Sequence, residues 1–148
     1  TLYTMRDAAH KRIMQAIQQG DKLPIDLKDA WIYYTGPTPK KDNRIGAIGP
    51  TTSYRMDSYL KYLPMIQATI GKGPRTKEAL AFSKTHQVPY FMAIGGIGAK
   101  LSLCVQSLEC VAYDDLGAEA IYRLEVRNFP VIVAYDTKGN DIFKRSHQ

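Results

Sequence analysis

Residues 65–94, with the sequence MIQATIGKGPRTKEALAFSKTHQVPYFMAI, decide the fold class of this chain. The apolar run at residues 65–70 predicts a strand, and the run at residues 88–94 predicts a second one. Between the two strands, Thr76 is placed to cap a helix that continues to His86. A strand, a helix and a strand in succession indicate a layered α/β domain.

The sequence on either side of this segment predicts the same mixture of elements. Apolar residues on one face indicate a helix at residues 6–19, and a short apolar run indicates a strand at residues 30–34. Thr52 or Ser53 is expected to cap another helix, which Pro64 ends or kinks. Further towards the C-terminus we expect a helix opened by Gly95-Gly96-Ile97-Gly98 and strands at residues 110–113, 120–126, 131–135 and 142–143.

Length and composition favour a single globular domain. The chain has 148 residues and a mass of 16.6 kDa, and 45% of its residues are hydrophobic. A domain of this length buries ~70% of the surface that its unfolded chain exposes, so this composition supplies a core. No apolar run approaches the ~20 residues that cross a bilayer, and the first residues lack the apolar centre of a signal peptide. We therefore expect a soluble cytoplasmic protein with one domain over residues 1–148.

The charge balance favours an anionic partner. Lys and Arg number 20 and Asp and Glu number 14, which gives a formal net charge of +6. Nucleic acid, a small acidic substrate and an acidic protein surface all fit this charge. The basic residues are scattered, however, and the sequence contains no known nucleic-acid-binding module. Nucleic acid is therefore the least favoured of the three partners.

The cysteines and histidines do not predict a metal site in this chain. Cys104 and Cys110 are too few for a disulfide framework, and their spacing matches no zinc or cluster motif. We expect both to be buried free thiols. No two of His10, His86 and His147 have the spacing of metal ligands. If the protein uses a metal ion, most of its ligands must come from elsewhere.

A candidate anion site lies at the predicted helix start after Gly49 and Pro50. Hydroxyl groups and free backbone amides are expected there at residues 51–53, with Arg55 further along. Free N–H groups and the helix dipole together attract an anion. The alternative is that Thr52 or Ser53 only caps the helix and that Arg55 is only a solvated residue. The spacing leaves both explanations open.

Two glycine-rich turns are further candidates for contact with a ligand. Gly71-Lys72-Gly73 flanks a lysine with residues that let the backbone approach a ligand closely, and Gly95-Gly96-Ile97-Gly98 joins a strand to a helix. Neither turn has the ending of a phosphate-binding P-loop. A lysine in a glycine turn is more often simply exposed. The triple glycine more often indicates tight packing of a helix on a strand.

Two other groups of reactive side chains have a structural explanation. Asp114, Asp115 and Glu119 resemble paired carboxylates for acid–base chemistry, but they flank a turn before a strand. A solvated loop is the favoured explanation for them. Tyr33 and Tyr34 lie in a predicted strand, and such tyrosines are more often part of a core or a subunit interface.

Six short motifs follow one another along nearly the whole chain. They are Arg6-Asp7-x-x-His10, Tyr34-x-Gly36-Pro37, Gly49-Pro50-Thr51-Thr52-x-x-Arg55-Met56-Asp57, Ile70-Gly71-Lys72-Gly73, Asp115-Leu116-Gly117-x-Glu119-Ala120-Ile121 and Asp136-x-Lys138-Gly139-Asn140. Each motif alone is weak, but the order is specific. The set resembles the β component of class I, iron-sulfur-dependent fumarate hydratases and of the related L-tartrate dehydratases.

The resemblance implies a fold, an activity and a partner. The fold would be a three-layer β/β/α swivelling domain. The activity would be that of a hydro-lyase that interconverts malate and fumarate. A separate α subunit would carry the [4Fe-4S] cluster, with one iron that binds the substrate, and this chain would bind no cofactor. The functional assembly would be a higher oligomer of αβ units, with a C4 dicarboxylate substrate and with neither nucleic acid nor membrane as a partner.

The resemblance also implies roles for single residues. Arg6 and Arg55 would hold the substrate carboxylates, and Lys72 would add a further cationic contact. Thr51 and Thr52 would place hydroxyl groups nearest the reacting carbons. Thr51 would transfer the proton as the catalytic residue. Since a threonine hydroxyl is a poor base, it would need a relay from an Asp or His of the α component.

The sequence leaves some alternatives open. The motif at residues 115–121 is closer to fumarate hydratases than to tartrate dehydratases, yet a tartrate or mesaconate hydro-lyase subunit stays possible. A non-catalytic module that binds anions is a less favoured alternative. Family β components carry an additional N-terminal segment before the motif that begins at Arg6, and we expect this segment to be missing from the sequence.

Overall fold

The computed structural model describes residues 1–38, 46–94 and 98–143. In chain order the elements are β1 (Leu2–Thr4), α1 (Asp7–Gln19), β2 (Trp31–Tyr33), the 3₁₀ helix η1 (Ser53–Tyr62), β3 (Ala68–Gly71), α2 (Lys77–His86), β4 (Tyr90–Ala93), α3 (Gly98–Ser102), β5 (Val105–Ala112), the 3₁₀ helix η2 (Asp114–Glu119), β6 (Ile121–Val126) and β7 (Val131–Tyr135). No helix within these ranges is long and apolar enough to cross a membrane.

The strands form one mixed sheet of seven strands in the order β5-β6-β1-β2-β3-β4-β7. The four central strands β1 to β4 are parallel, with Ile32 opposite both Tyr3 and Thr69. β6 and β7 flank them antiparallel, and β5 pairs antiparallel with β6. The predicted α/β fold class is confirmed.

Helices cover one face of this sheet. α1, η1 and α2 contribute Ile13, Leu60 and Phe82 to one core cluster, which also contains Ile32 from the sheet. On the opposite face lies a second cluster of buried residues that includes Leu101 of α3. Side chains of successive strand residues point to opposite faces, so β1 and β2 each contribute to both clusters, Tyr3 and Ile32 to the first and Leu2 and Tyr33 to the second. The arrangement fits the three-layer α/β domain that the resemblance implied.

The local signals for the two long α-helices are confirmed. α1 ends at Gly20, whose φ of 74° is a left-handed conformation that glycine adopts without strain. α2 begins after Thr76, whose side chain accepts a hydrogen bond from the Ala79 amide at 3.3 Å. Both signals act within one helical turn, which is why the sequence alone reveals them.

Several elements differ from the prediction, and β5 begins at Val105 rather than at residue 110. The helix expected after Thr52 is a 3₁₀ helix, and the Thr52 side chain makes no capping hydrogen bond. The three-residue strand β1 is too short to give a periodic signal and went unpredicted. The strand expected at residues 142–143 is wrong, because only an isolated bridge between Tyr135 and Asp141 forms there. Gly95, Gly96 and Ile97 lie outside the described residues.

The prediction of two buried thiols is also wrong. Cys110 is exposed and Cys104 is half-buried. Cys110 lies in β5, an edge strand of the sheet, and most of the residues of this strand are at least partly accessible to solvent. An apolar run at the edge of a sheet lacks the cover that a central strand receives.

Candidate active site

Most of the predicted site residues lie beyond one edge of the sheet. Because β1, β2 and β3 are parallel, their carboxyl ends meet at this edge. Arg6 follows β1, Gly36 follows β2 and Lys72 follows β3. Thr51 and Thr52 directly precede η1, which begins at the same edge. We call this region the carboxyl edge.

Hydrogen bonds attach the segment before η1 to the end of β2. The Thr51 amide donates to the Tyr34 carbonyl at 2.6 Å. The Thr35 hydroxyl donates to the Gly49 carbonyl at 2.7 Å. Thr51 is therefore held beside the end of a central strand, and its side chain is half-buried.

Thr52 and Lys72 are direct neighbours. They form an isolated parallel bridge. The Ser53 amide donates to the Lys72 carbonyl, and the Lys72 amide donates to the Ser53 hydroxyl, both at 3.0 Å. The structure thus brings together the threonine pair and the lysine that the sequence analysis proposed, although they lie in separate motifs.

The expectation of free backbone amides at this helix start is wrong for two of its residues. The amides of Thr51 and Ser53 already donate to protein carbonyls, as described above. Within the described residues, the hydroxyl groups of Thr51 and Thr52 have no hydrogen-bond partner. This segment therefore offers its two threonine hydroxyls to a ligand, but not the amides of Thr51 and Ser53.

Arg6 lies against Gly36 with an unsatisfied nitrogen. A methyl group at Gly36 would lie 2.9 Å from Arg6 Cδ and 3.0 Å from the Ala118 carbonyl oxygen, so a side chain there would displace Arg6. Arg6 Nε is buried and has no hydrogen-bond partner among the described residues. A buried N–H group without a partner is energetically costly, and an anion can satisfy it.

Arg55 reaches back to the start of α1. Its Nε lies 3.6 Å from Asp7 Oδ2, and the two side chains are 40% and 44% exposed. Ion pairs this exposed contribute about 0–1 kcal/mol to stability. Arg55 is thus a neighbour of the Arg6 segment, and its present partner holds it only weakly.

His10 fixes the backbone of Arg6, a role that the sequence analysis missed. Its Nδ1 lies 2.8 Å from the Arg6 carbonyl oxygen. A carbonyl only accepts, so Nδ1 carries the proton and Nε2, which is buried without a partner in the described residues, is an acceptor. Burial lowers the pKa of His10 to about 4. The ring is therefore neutral, packed 5.5 Å from the rings of Tyr34 and Tyr59.

The acidic turn at η2 contacts α1. The Ala8 amide donates to Glu119 Oε1 at 3.3 Å, which supplies the cap that the Arg6 side chain does not provide. Arg12 Nη1 donates to Asp115 Oδ1 at 2.9 Å, and this hydrogen bond lowers the pKa of the Asp115 carboxyl. The prediction of a loop solvated by water alone is therefore incomplete, since these carboxylates stabilise the helix that carries Arg6.

A buried ion pair beneath the carboxyl edge was also missed. Arg75 Nε lies 2.7 Å from Asp57 Oδ1, and the two side chains are only 2% and 3% exposed. Asp57 Oδ2 accepts from both the amide and the hydroxyl of Thr76 at 2.8 Å. This pair joins η1 to the start of α2. Asp57 belongs to a recognised motif, but no pattern in the sequence marked Arg75.

Arg75 also contacts the central strands. Its Nη1 donates to the Thr69 hydroxyl at 3.0 Å and its Nη2 donates to the Tyr34 hydroxyl at 2.9 Å. The guanidinium lies 4.8 Å from the centre of the Tyr90 ring, a cation–π distance. Burial raises the pKa of Tyr34, so its hydroxyl stays protonated.

The described residues do not fit an iron-sulfur cluster. They include no group of three His, Cys, Asp or Glu side chains that could hold a metal ion. Cluster irons are held mainly by cysteine thiolates, and Cys104 and Cys110 lie outside the carboxyl edge.

Comparison with known proteins reveals a family. Residues 1–146 match the family model named Fumarase C-terminus. The chain is 39% identical over 150 residues to "Fumarate hydratase class I, aerobic" of Escherichia coli (strain K12), covering 98% of this chain and 27% of that protein. It is 36% identical over 151 residues to "Fumarate hydratase 2" of Leishmania major, again covering 27% of that protein.

A further relative is similar in length. The chain is 42% identical over 153 residues to "Putative L(+)-tartrate dehydratase subunit beta" of Methanocaldococcus jannaschii, covering 97% of this chain and 78% of that protein. The chain thus spans about a quarter of the length of the fumarate hydratases that it matches, but most of the length of this subunit. The resemblance found in the sequence is confirmed, and the chain belongs to the family of fumarase C-terminal domains.

Proposed function

We propose that this chain is the β component of a hydro-lyase that interconverts malate and fumarate. The observation that carries the proposal is the buried Nε of Arg6, which has no partner among the described residues and lies at the carboxyl edge, where Arg55 and Lys72 supply further positive charge. The names of the relatives, fumarate hydratase and tartrate dehydratase subunit, support a C4 dicarboxylate as the ligand.

The charges at the carboxyl edge suit a dianion. Arg6, Arg55 and Lys72 are cationic, and the acidic side chain that pairs with Arg55 is Asp7. A guanidinium binds a carboxylate through two parallel hydrogen bonds. In the proposed complex, Arg6 binds one substrate carboxylate. Arg55 leaves its weak contact with Asp7 and binds the second substrate carboxylate. Lys72 contributes a further positive charge.

The chemistry of dehydration gives these contacts a purpose. When malate loses water, a C–H bond next to a carboxylate breaks, a C–O bond breaks with departure of hydroxide, and a C=C bond forms. Negative charge accumulates on the carboxylate next to the carbon that loses its proton, and a guanidinium bound there stabilises it. A [4Fe-4S] cluster held by a separate α component would supply the Lewis-acid chemistry for hydroxide departure.

Thr51 is the proposed proton-transferring residue, with Thr52 beside it. The Thr51 backbone is fixed by its bond to Tyr34, while its hydroxyl has no partner among the described residues. A hydroxyl free to rotate can accept a proton from a substrate carbon only if another group removes its own proton. We place that second group, an Asp or His, on the α component.

An L-tartrate hydro-lyase is the second candidate function. The relative of which this chain covers 78% is a putative tartrate dehydratase β subunit. Tartrate and malate differ by one hydroxyl group, so the same cations and hydroxyls serve either substrate. Mesaconate is a third possible substrate.

The test is anaerobic assembly of this chain with its cysteine-bearing α component. The assembled, cluster-loaded complex should convert malate or fumarate, and parallel assays with tartrate and mesaconate identify the preferred diacid. The chain incubated alone with iron and sulfide should stay colourless. A loaded complex that is inactive with every diacid would contradict the proposed function.

A further inference from the structure

A chain of hydrogen bonds joins the two loops that carry Thr52 and Lys72. The Lys72 amide donates to the Ser53 hydroxyl oxygen at 3.0 Å. The Ser53 hydroxyl lies 2.9 Å from the Tyr90 hydroxyl. The Tyr90 hydroxyl donates to the Gly73 carbonyl at 2.7 Å. The series of hydrogen bonds therefore starts at residue 72, passes through Ser53 of η1 and Tyr90 of β4, and ends at residue 73.

The Lys72 amide at one end of this series can only donate and the Gly73 carbonyl at the other can only accept, and these two groups decide which hydroxyl donates in each hydrogen bond. The Gly73 carbonyl only accepts, so the Tyr90 hydroxyl uses its one proton there. The Ser53 hydroxyl must then donate its own proton to the Tyr90 oxygen. The Ser53 oxygen is left free to accept the Lys72 amide. All donors point the same way, an arrangement in which neighbouring hydrogen bonds strengthen one another.

The two hydroxyl-bearing residues of this series are buried, and the space around the Ser53 hydroxyl is filled. Ser53 and Tyr90 are both 0% exposed. A methyl group at Gly71 would lie 1.9 Å from Ser53 Oγ and 2.9 Å from Tyr34 Cδ2, so only glycine leaves room for the serine hydroxyl. Burial also raises the pKa of Tyr90, which keeps its proton in place. With every proton committed, neither hydroxyl is available for acid–base chemistry.

We propose that Ser53 and Tyr90 are positioning residues that set the distance between the Thr52 hydroxyl and the Lys72 ammonium group at the dicarboxylate site. This proposal rests on the proposed function. The two residues contact the backbone of the loops and do not touch the substrate. Without their hydroxyls, the loop at residues 71–73 loses its side-chain links to η1 and β4 and keeps the backbone bond from the Ser53 amide to the Lys72 carbonyl, while the core beneath it stays filled.

The test uses Tyr90→Phe and Ser53→Ala in the assembled, cluster-loaded complex. Each variant should lower kcat/KM for the preferred diacid by roughly 5-fold to 30-fold, mostly through a higher KM, since the loops bind the ground state less well. The double variant should lower kcat/KM no further than the single variant with the larger decrease, because both hydroxyls act through one series of hydrogen bonds.

Val88→Ala is the matched control. Val88 is 1% exposed and packs in the first core cluster just before Tyr90, but it makes none of the hydrogen bonds in the series from Lys72 to Gly73, so this variant destabilises the core and leaves those bonds in place. It should lower Tm and leave kcat/KM unchanged. Hydrogen exchange measured by mass spectrometry on the same complexes should be faster at residues 71–74 in Ser53→Ala and unchanged in Val88→Ala.

The outcomes separate the two proposals. Lower kcat/KM together with faster exchange in the loop supports the positioning role. An active wild-type complex whose Tyr90→Phe and Ser53→Ala variants keep kcat/KM within twofold overturns that role and leaves the proposed function intact. A wild-type complex that is inactive with every diacid overturns the proposed function and the positioning role with it.

Discussion

Two arginines near the carboxyl edge have opposite environments. The Arg75 side chain is 2% exposed, and its three nitrogens donate to Asp57, Thr69 and Tyr34. Arg6, in contrast, has a buried Nε without a partner among the described residues. A guanidinium in which every nitrogen has a protein partner stabilises a fold, whereas one with a buried nitrogen that lacks a partner can bind an anion. The difference separates the structural arginine from the proposed functional one.

The largest effect is expected where the structural pair is broken. Asp57→Ala leaves Arg75 buried without a counter-charge and should lower the free energy of unfolding by about 3–5 kcal/mol. Urea unfolding of the complex measures this loss. Replacing both residues with leucine removes both charges and should recover part of the stability. A loss in Asp57→Ala below about 1 kcal/mol would contradict the structural role of the pair.

The pH dependence of stability tests the burial of His10, whose ring is hydrogen-bonded to the Arg6 carbonyl. Burial lowers the pKa of His10 from 6.5 to about 4, so between these values the unfolded chain binds more protons than the folded one. Stability should therefore be fully present above pH 6.5 and fall as the pH drops towards 4, by about 3 kcal/mol at most.

Unfolding curves at several pH values measure this slope. The variant His10→Phe should have a flatter profile. The control His86→Asn changes an exposed histidine and should keep the wild-type profile. An unchanged slope in His10→Phe would assign the pH dependence to other groups.

Removal of the Thr51 hydroxyl tests the proposed proton transfer. Thr51→Ala should lower kcat by at least ~100-fold with little change in KM, because the group acts mainly in the transition state. Thr51→Ser keeps the hydroxyl and should retain part of the activity. Steady-state assays on the loaded complex measure both constants. A near-native kcat in Thr51→Ala would mean that the partner chain handles the proton alone.

Arg6→Lys tests whether Arg6, unlike Arg75, binds the substrate. The charge stays but the two-pronged hydrogen bonding is lost, so kcat/KM should fall roughly 10-fold to 150-fold while Tm stays close to wild type. Arg12→Lys is the matched control, since Arg12 lies in α1, which Arg6 directly precedes, but pairs with Asp115. Equal kcat/KM in the two variants would contradict the proposal that Arg6 binds a substrate carboxylate.

Arg55→Lys is expected to give the smallest effect. The Arg55 side chain is 40% exposed and already has a weak partner in Asp7, so solvent replaces part of what the variant loses. We expect kcat/KM to fall by roughly 10-fold, the lower limit for a charged hydrogen bond. An effect larger than that of Arg6→Lys would reverse the order of the two arginines.

Much of the fold was accessible from the sequence, because its signals are local. Gly20 ends α1, and Thr76 caps α2 through a residue three positions away. β1 was missed because a three-residue strand has no periodicity of its own and exists only between two partner strands. Burial of the cysteines was predicted wrongly for the same reason, since the sequence does not tell which strand forms the edge.

The sequence by itself determined which residue types are available to a dicarboxylate: Arg6, Thr51, Thr52, Arg55 and Lys72. Only the tertiary structure decided which of their groups are still free. It engaged the amides of Thr51 and Ser53, paired Arg75 with Asp57, and brought Glu119 to the start of α1 from a position 111 residues beyond Ala8. The physical reason is that hydrogen-bond partners and burial arise from strand order and packing, which join parts of the chain that no local pattern connects.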